Sequence, residues 1–580
     1  MDKKSLLAVL LITVVIILLP TYYKMISDPD DRPVYTYEPQ ISDTIETDIT
    51  EEEKMSETPI KEPEADVQKS TEKTSTNDIF KNQTKNILIN YIETPLISVE
   101  LTSLGGGNIS AWQLKQYQTW TEEKVKIIDP DIKNGLFLNF ITLNGEKIDL
   151  NQFNFEPIQK YPKTIKIEEN GRKEFVYTLE LGVYTITKKL IIYGDLYHFD
   201  LSFDITNPSQ ILLNSEYQIG WTRGLPSNEE NISEDYTYSE AYASLGEEIE
   251  NYSIDSENEA ESRTINGQVD WIAVRTKYFL AAIIPKDVKT NGISFGGYGE
   301  LIDEVIERRY ITQMNTSKTA AGADKYSIYL GPLDNSILTD YESGLDEIIL
   351  SHGWYERTFR SISLPIVGLL KFFYTFIPNY GIVIILFSIL VKIVVYPLTK
   401  KSYKSMKEMS KVQPLLTELR EKYKGDPQRL NRETMKLYKE HGINPLGGCL
   451  PMLLQLPLLA ALFIVFRSTI QLRGASFIPG WIDDLSRADT IFTLPFSLPL
   501  YGDQFNILPI LMAGSMMFQS KMTMQDPKQK AMVYIMPIFM LIIFNQFPSG
   551  LNLYYTMFNV LTIIQQKFTD NSTKPVKTKS

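Results

Sequence analysis

The chain has 580 residues, room for more than one domain, and its formal net charge of −13 excludes a generally basic nucleic-acid binder. Its single cysteine, Cys449, excludes an intrachain disulfide and a cysteine-rich metal site, and His198, His352 and His441 stand at no metal-ligand spacing. The acid concentrates between Asp28 and Asp78 and in the next few hundred residues, while short stretches near the C-terminus are basic.

Lys3 and Lys4 precede an apolar run from Leu6 to Leu19 that lacks a small-x-small cleavage site, so residues 1–24 read as an uncleaved signal anchor and first span. Its basic end is expected in the cytoplasm. Residues 25–85 are rich in Asp, Glu, Thr, Ser, Lys and Pro and poor in aromatics. Such a segment cannot bury enough apolar surface to fold, and it reads as an acidic disordered linker.

Across 86–352 the pattern becomes short alternating strands, such as Phe175–Leu181, Tyr184–Tyr193 and Tyr197–Phe203, separated by Asn-Gly and Gly-Asp turns. Period-two alternation of Tyr, Thr, Ile and Val predicts antiparallel sheets and a large β-sandwich. In 353–378, Phe359, Ile362, Ile366, Leu369, Leu370 and Phe373 recur at helical spacing among Arg357, Arg360 and Lys371. That pattern predicts an amphipathic helix lying on a membrane.

Residues 379–398 are apolar enough and long enough to cross a bilayer, with Lys392 as the one charge. A charge at the bilayer centre costs about 2.5–3.5 kcal/mol on insertion scales. Two readings stand for this segment: a functional cation, or a lysine near one end that snorkels to water. Four more apolar segments follow, at 444–468, 505–521, 531–548 and 549–567, some of them shorter than the roughly 20 residues a standard core requires. With the anchor they make six spans, joined by an outer loop at 469–504, a short inner loop at 522–530 and a tail at 568–580.

Three segments set the orientation. Residues 399–443 carry twelve Lys or Arg, from Lys400 to Lys439, against six acidic residues; Lys521, Lys528 and Lys530 oppose only Asp526; Lys567 and the tail residues Lys574, Lys577 and Lys579 oppose Asp570. All fall on one side of a six-span chain, and the excess of basic residues makes that side the cytoplasm. The 399–443 segment is itself patterned as a helical hairpin, with Gly425 ending one helix and Asp426-Pro427 starting the next. It reads either as a solvated hairpin or as a docking site for a partner or anionic lipid.

Ser388 and Lys392 share one helix face, a spacing that a serine–lysine hydrolase could use. No oxyanion-hole feature accompanies them, and the serine can bond its own helix backbone. Leu446-Gly447-Gly448-Cys449 imitates a lipobox, but it follows a cytoplasmic loop deep in the chain, where small residues favour close helix packing. Gln455, Asn545, Gln546, Asn552, Tyr554, Tyr555, Asn559 and Gln565 are polar groups in apolar segments and need partners there. No Gly-x-x-x-x-Gly-Lys-Ser/Thr motif occurs, and no cofactor or metal is expected.

The membrane half resembles the YidC/Oxa family of membrane protein insertases. The resemblance rests on Tyr396-Pro397-Leu398-Thr399-Lys400, Asn444-Pro445-Leu446-Gly447-Gly448-Cys449-Leu450-Pro451 with Gln455 and Pro457, Phe547-Pro548-Ser549-Gly550-Leu551 with Tyr554-Tyr555, and Thr562-Ile563-Ile564-Gln565-Gln566. The N-terminal half looks like the Gram-negative form, on Gly105-Gly106-Gly107-Asn108-Ile109, Trp271-Ile272-Ala273, Tyr278-Phe279, Tyr329-Leu330-Gly331-Pro332 and Gly353-Trp354.

The resemblance implies a polytopic α-helical membrane protein of six spans, five of them the insertase core, with a large periplasmic all-β supersandwich. It implies no enzyme but an insertase and chaperone of nascent inner-membrane proteins, working alone or with the Sec translocon. Its site would be a hydrophilic groove open to the cytoplasm and lipid, built from Lys392, Ser388, Gln455, Tyr554 and Tyr555. Lys392 stands where the family has arginine, which keeps the charge and loses the planar fork. Other implied partners are the lipid bilayer and, through the cytoplasmic hairpin, a ribosome or signal recognition particle receptor. A membrane hydrolase and a purely structural subunit of the translocation machinery are the alternatives.

Overall fold

The computed structural model describes residues 86–254, 262–302, 305–318, 322–341, 343–442, 450–499, 501–523 and 530–571. The expected anchor at 1–24, the acidic linker at 25–85, the Leu446–Cys449 run and the tail beyond 571 lie outside these residues.

Three sheets build the first part. A nine-stranded sheet runs, in spatial order, Glu248–Tyr252, Glu240–Leu245, Trp271–Arg275, Phe279–Lys286, Asp324–Pro332, His198–Ile205, Tyr184–Tyr193, Arg172–Leu181 and Glu156–Pro157. A six-stranded sheet runs from Ser262–Asn266 to Lys147–Asp149, and a five-stranded one from Lys124–Ile128 to Thr164–Lys166. The alternation visible at Tyr184–Tyr193 and His198–Ile205 is realised as alternating buried and half-buried residues, since successive side chains point to opposite faces. Trp112, Trp221 and Trp271 are fully buried between the layers, and the Trp112 indole donates to the Leu330 carbonyl at 3.0 Å, joining two sheets. One pairing departs from the antiparallel expectation. Ile89–Glu93 runs parallel to Thr164–Lys166, a partner brought up by some seventy residues of intervening chain that no local turn signal could announce.

Lys188 is an exception inside this sandwich. It is 1 % exposed, and its ammonium donates to the Gly105 carbonyl at 2.6 Å. Gly105, Gly106 and Gly107 all have positive φ, and a Cβ on Gly106 or Gly107 would strike the Phe155 ring or Leu190 and Tyr177. Burial pulls the Lys188 ammonium down to about 8, with Asp149 pulling it back up. Its folded pKa therefore lies below the roughly 10.4 of an unfolded lysine. Between these values the unfolded chain binds the extra proton, so stability rises with pH. Denaturant unfolding followed by tryptophan fluorescence is expected to show a rise from pH 8 to pH 9.5 that Lys188→Met flattens. An unchanged slope in the variant would assign the rise to other groups.

Among the described residues eight α-helices follow: α1 (Gly353–Phe376), α2 (Tyr380–Lys411), α3 (Gln413–Lys422), α4 (Pro427–Glu440), α5 (Leu450–Ser468), α6 (Ile507–Thr523), α7 (Lys530–Phe544) and α8 (Ser549–Asn571). The α3–α4 hairpin starts its second helix as the sequence predicts, with the Asp426 side chain accepting from the Arg429 amide at 3.0 Å and Pro427 in the first turn. The expected span at 379–398 coincides with the apolar stretch Tyr380–Pro397, and helix α2 carries on past it, through Pro397 to Lys411; just past the proline, the Thr399 hydroxyl bonds back to the Val395 and Tyr396 carbonyls, both at 3.1 Å. The expected outer loop at 469–504 contains most of a β-hairpin, Thr490–Leu498 with Gly502–Asn506. That hairpin delays α6 to Ile507, where the Asp489 carboxylate accepts the Ile507 and Leu508 amides at 3.0 and 2.8 Å and so fixes the helix start.

Among the described residues two helical segments are long and apolar enough to cross a membrane, Gly353–Phe376 and Tyr380–Pro397, with Gln455–Ser468 and Val533–Phe544 apolar but shorter. The first of these is the helix expected to lie on the membrane rather than across it.

A charged seam joins the sandwich to α1, α5 and the segment after α5. The Arg473 guanidinium donates to Glu229 at 2.6 Å, and both side chains are nearly buried, at 7 % and 10 % exposed. Arg467 and Lys277 share the Glu234 carboxylate at 2.8 and 2.9 Å. Along α1, Arg360 donates to the Ile349 and Asp346 carbonyls, and Lys371 pairs with Asp334 at 2.6 Å.

Candidate functional site

Lys392 lies in the middle of α2 on the face that meets α8. Its ammonium donates to the Thr562 hydroxyl at 2.7 Å and sits 4.6 Å from the centre of the Phe558 ring. Both partners come from α8, where a spacing of four places them on one face. The Thr562 hydroxyl in turn donates to the Phe558 carbonyl at 2.7 Å, so its lone pairs are left for the cation. Lys392 is 8 % exposed. It is thus a largely buried cation held against a ring and a hydroxyl.

The same face continues as an aromatic wall. Phe387 lies 6.0 Å from Tyr554, and Tyr554 stacks at 5.9 Å on Phe558. Tyr554 therefore stands one ring away from the lysine. Tyr555 turns the other way, edge-on to Phe544 at 5.6 Å, and its hydroxyl lies beside Gln455 of α5 without hydrogen-bond geometry. The Tyr554 and Tyr555 hydroxyls are both buried and unpartnered among the described residues. Of the five residues expected at the site, Lys392 and Tyr554 line the α2–α8 contact, Ser388 lies one turn from Lys392 on the same face of α2, and Tyr555 lies beside Gln455 of α5.

Ser388 is fully buried and donates to the Ile384 carbonyl at 2.8 Å, one helical turn back. The serine hydroxyl is engaged by its own helix and the lysine by Thr562, so the dyad geometry of a hydrolase is not formed. Thr562 and Phe558 were not among the expected site residues. Thr562 figures only within the Thr562–Gln566 run that carries the family resemblance, and Phe558 has no signal beyond standing four residues before it in the last apolar segment.

Removing this acceptor has a defined cost. Thr562→Val keeps the shape and leaves the ammonium one hydrogen bond short, a loss of about 1–3 kcal/mol for a buried charged donor. The thermal midpoint of the purified protein is expected to fall, and Thr562→Ser to restore it. Equal midpoints for valine and serine would show that the bond contributes nothing.

Three asparagines of the later apolar segments serve the fold. Asn545 donates to the Tyr501 and Gln504 carbonyls at 3.0 and 2.8 Å. Asn552 donates to the Phe544 and Phe547 carbonyls at 3.1 and 3.3 Å, and Asn559 ties α8 to Ser515 of α6 at 3.2 Å. Each satisfies backbone or hydroxyl groups that helix ends and apolar surroundings would leave unpaired.

A family profile described as 60Kd inner membrane protein matches residues 372–577, and one described as YidC periplasmic domain matches residues 90–366. A protein named membrane protein insertase YidC from Chlorobium limicola is 36 % identical over 490 residues, covering 83 % of this chain and 82 % of that one. This chain belongs to the YidC family. Its kinship extends over nearly its whole length, since a YidC of Chlorobaculum parvum is 33 % identical across 98 % of this chain and 94 % of the relative. A crystal structure of an active YidC insertase with its first transmembrane domain resolved covers 86 % of this chain and 96 % of its own, at a TM-score of 0.35 and 18 % identity. YidC membership rests on the sequence relatives. The periplasmic-domain match falls on the three-sheet sandwich, so the β-rich half is the YidC periplasmic domain and the helical half the inner-membrane part.

Proposed function

We propose that this chain is an insertase and chaperone that moves nascent proteins into the bacterial inner membrane, alone or with the Sec translocon. The observation that carries the reading is the desolvated Lys392 cation at the α2–α8 contact, in a chain whose relatives are named membrane protein insertase YidC. The cation would attract acidic residues in the short translocated flank of a substrate. The Tyr554 and Tyr555 hydroxyls and Gln455 would supply hydrogen bonds to the polar part of that flank. Burial of the substrate's apolar segment in lipid supplies the drive, at roughly 25 cal/mol per Å².

In this reading the anchor, α2, α5, α6, α7 and α8 make six spans, with both chain ends and the α3–α4 hairpin in the cytoplasm. Helix α1 lies along the periplasmic surface. It has the length to cross, but Arg360 and Lys371 both bond to the sandwich. Eleven residues separate them, about 16 Å of helix at 1.5 Å per residue, so α1 runs beside the periplasmic domain instead of leaving it. A crossing α1 would also turn the basic hairpin outward against the positive-inside bias. The hairpin, charged and exposed, suits contact with a ribosome, a signal recognition particle receptor or anionic lipid.

Photo-crosslinking tests the site. A photoreactive phenylalanine analogue at Tyr555, which keeps the ring packing, is expected to crosslink a stalled nascent membrane protein, as is one at Leu456, which is 41 % exposed on α5. Ser388 is too buried to carry the probe. Absence of a substrate adduct at both positions would overturn the assignment, and unaided insertion by the purified protein into liposomes would exclude a merely structural role.

A further inference from the structure

The hairpin that precedes α6 has no soluble rationale. Its strands, Thr490–Leu498 and Gly502–Asn506, pair with each other in a sheet of their own. A two-stranded ribbon without a packed face is marginal in water. Here Ile491, Phe492, Phe496 and Leu498 are 47, 50, 59 and 42 % exposed. Phe492 stacks on Phe505 across the strands at 4.7 Å, which stiffens the apolar surface without covering it. Over 490–506 the one charged side chain is Asp503.

This ribbon is pinned. Asp489, 2 % exposed, caps the first amides of α6 and accepts from the Trp481 indole at 3.3 Å. Along the second strand Asn545, which follows α7, donates to the Tyr501 and Gln504 carbonyls, while Asn506 donates to Asn545. The second strand therefore lies across the connection from α7 to α8 and runs without a linker into α6. If those helices cross the membrane, the hairpin is held at the level of their periplasmic ends.

We propose that this hairpin is a lipid-binding element, dipped into the headgroup and upper acyl region of the outer leaflet of the inner membrane. The inference rests on the proposed spanning of α6. Depth is limited by the backbone: the outer edges of a two-stranded ribbon carry unpaired amides and carbonyls that hydrocarbon would not satisfy, whereas headgroups and interfacial water would. Pro495, within the first strand, lacks an amide donor. Aromatic side chains are favoured at this depth. With no lysine or arginine in 490–506, the attraction is apolar and does not select anionic lipid.

The test uses the full-length protein in vesicles, in a Cys449→Ser background, with single labels of an environment-sensitive dye at Phe492→Cys, Phe496→Cys, Asp503→Cys and, as a reference on α6, Leu511→Cys. Labels at 492 and 496 are expected to be quenched by a nitroxide near the acyl-chain head about twofold or more beyond the label at 503, and to resist aqueous iodide. The result should be the same in vesicles with and without anionic lipid. Iodide access at 492 and 496 with lipid quenching at 511 would overturn the hairpin proposal and leave the spanning of α6 standing. Shielding from both quenchers would overturn it in favour of a protein cover. Loss of lipid quenching at 511 would overturn the spanning as well. Amide exchange on the unlabelled protein gives the same answer without cysteine replacement: protection of 490–506 in lipid nanodiscs beyond that in detergent-free amphipol supports the proposal, and equal exchange overturns it.

Discussion

Lys392→Met is expected to lower insertion of substrates with acidic translocated segments by about ten- to a hundredfold, the worth of a charge-assisted contact of about 1.5–3 kcal/mol. Methionine keeps the length and the apolar packing on Phe558, so the change isolates the charge. Substrates with neutral translocated segments should insert almost normally, because the cation offers them no differential interaction. Lys392→Arg should preserve insertion: the guanidinium stays charged, can donate to Thr562 and can lie over the Phe558 ring. Lys392→Ala loses the charge and the packing together, and melting of the purified variant separates the two. Insertion assays across matched acidic and neutral substrates decide the matter, and equal yields from all four proteins would show the charge to be dispensable.

The second large effect is at the seam. Glu229→Ala is expected to destabilise the junction by about 3–5 kcal/mol, because it strands a buried guanidinium. Arg473 is 7 % exposed and lies against the Tyr278 and Phe279 rings at 5.7 and 5.3 Å, so water cannot readily replace the carboxylate. Glu230→Ala is the matched control. Glu230 also pairs with a seam arginine, Arg487, at 3.1 Å, but it is 65 % exposed, where a pair contributes about 0–1 kcal/mol. Limited proteolysis and amide exchange over 469–487 should accelerate strongly in the first variant and hardly in the second. Matching behaviour of the two would mean that the seam is held by packing alone.

The two variants ask different questions of one molecule. Lys392 addresses how a substrate is held, and Glu229 addresses whether the periplasmic domain is a fixed part of the insertase. A Glu229→Ala protein that inserts normally would assign the sandwich a role apart from insertion.

Much of this architecture is legible along the chain, because its signals are local. Alternation in Tyr184–Tyr193 places side chains on two faces whatever the strand's neighbours are. Asp426-Pro427 starts a helix with its own atoms. Elements that depend on distant partners were not legible. The parallel pairing of Ile89–Glu93 with Thr164–Lys166 and the capping of α6 by Asp489 from eighteen residues upstream leave no periodic trace. The hairpin at 490–506 was missed for a related reason: two prolines and exposed apolar residues on short strands resemble a loop when the membrane that would justify them is not considered.

At the candidate site the same division holds. The sequence by itself determined that a lysine sits in an apolar segment with a serine one turn away and that two adjacent tyrosines lie in the last one, since composition and helical spacing are properties of the chain. Only the tertiary structure decided what these groups do to each other. Adjacent tyrosines on a helix point about 100° apart, so Tyr554 joins the Lys392 wall and Tyr555 faces Gln455. The serine bonds to its own turn, and the cation takes a threonine 170 residues away. Which polar groups meet in an apolar interior is fixed by helix packing, and packing depends on contacts between segments that no single segment encodes.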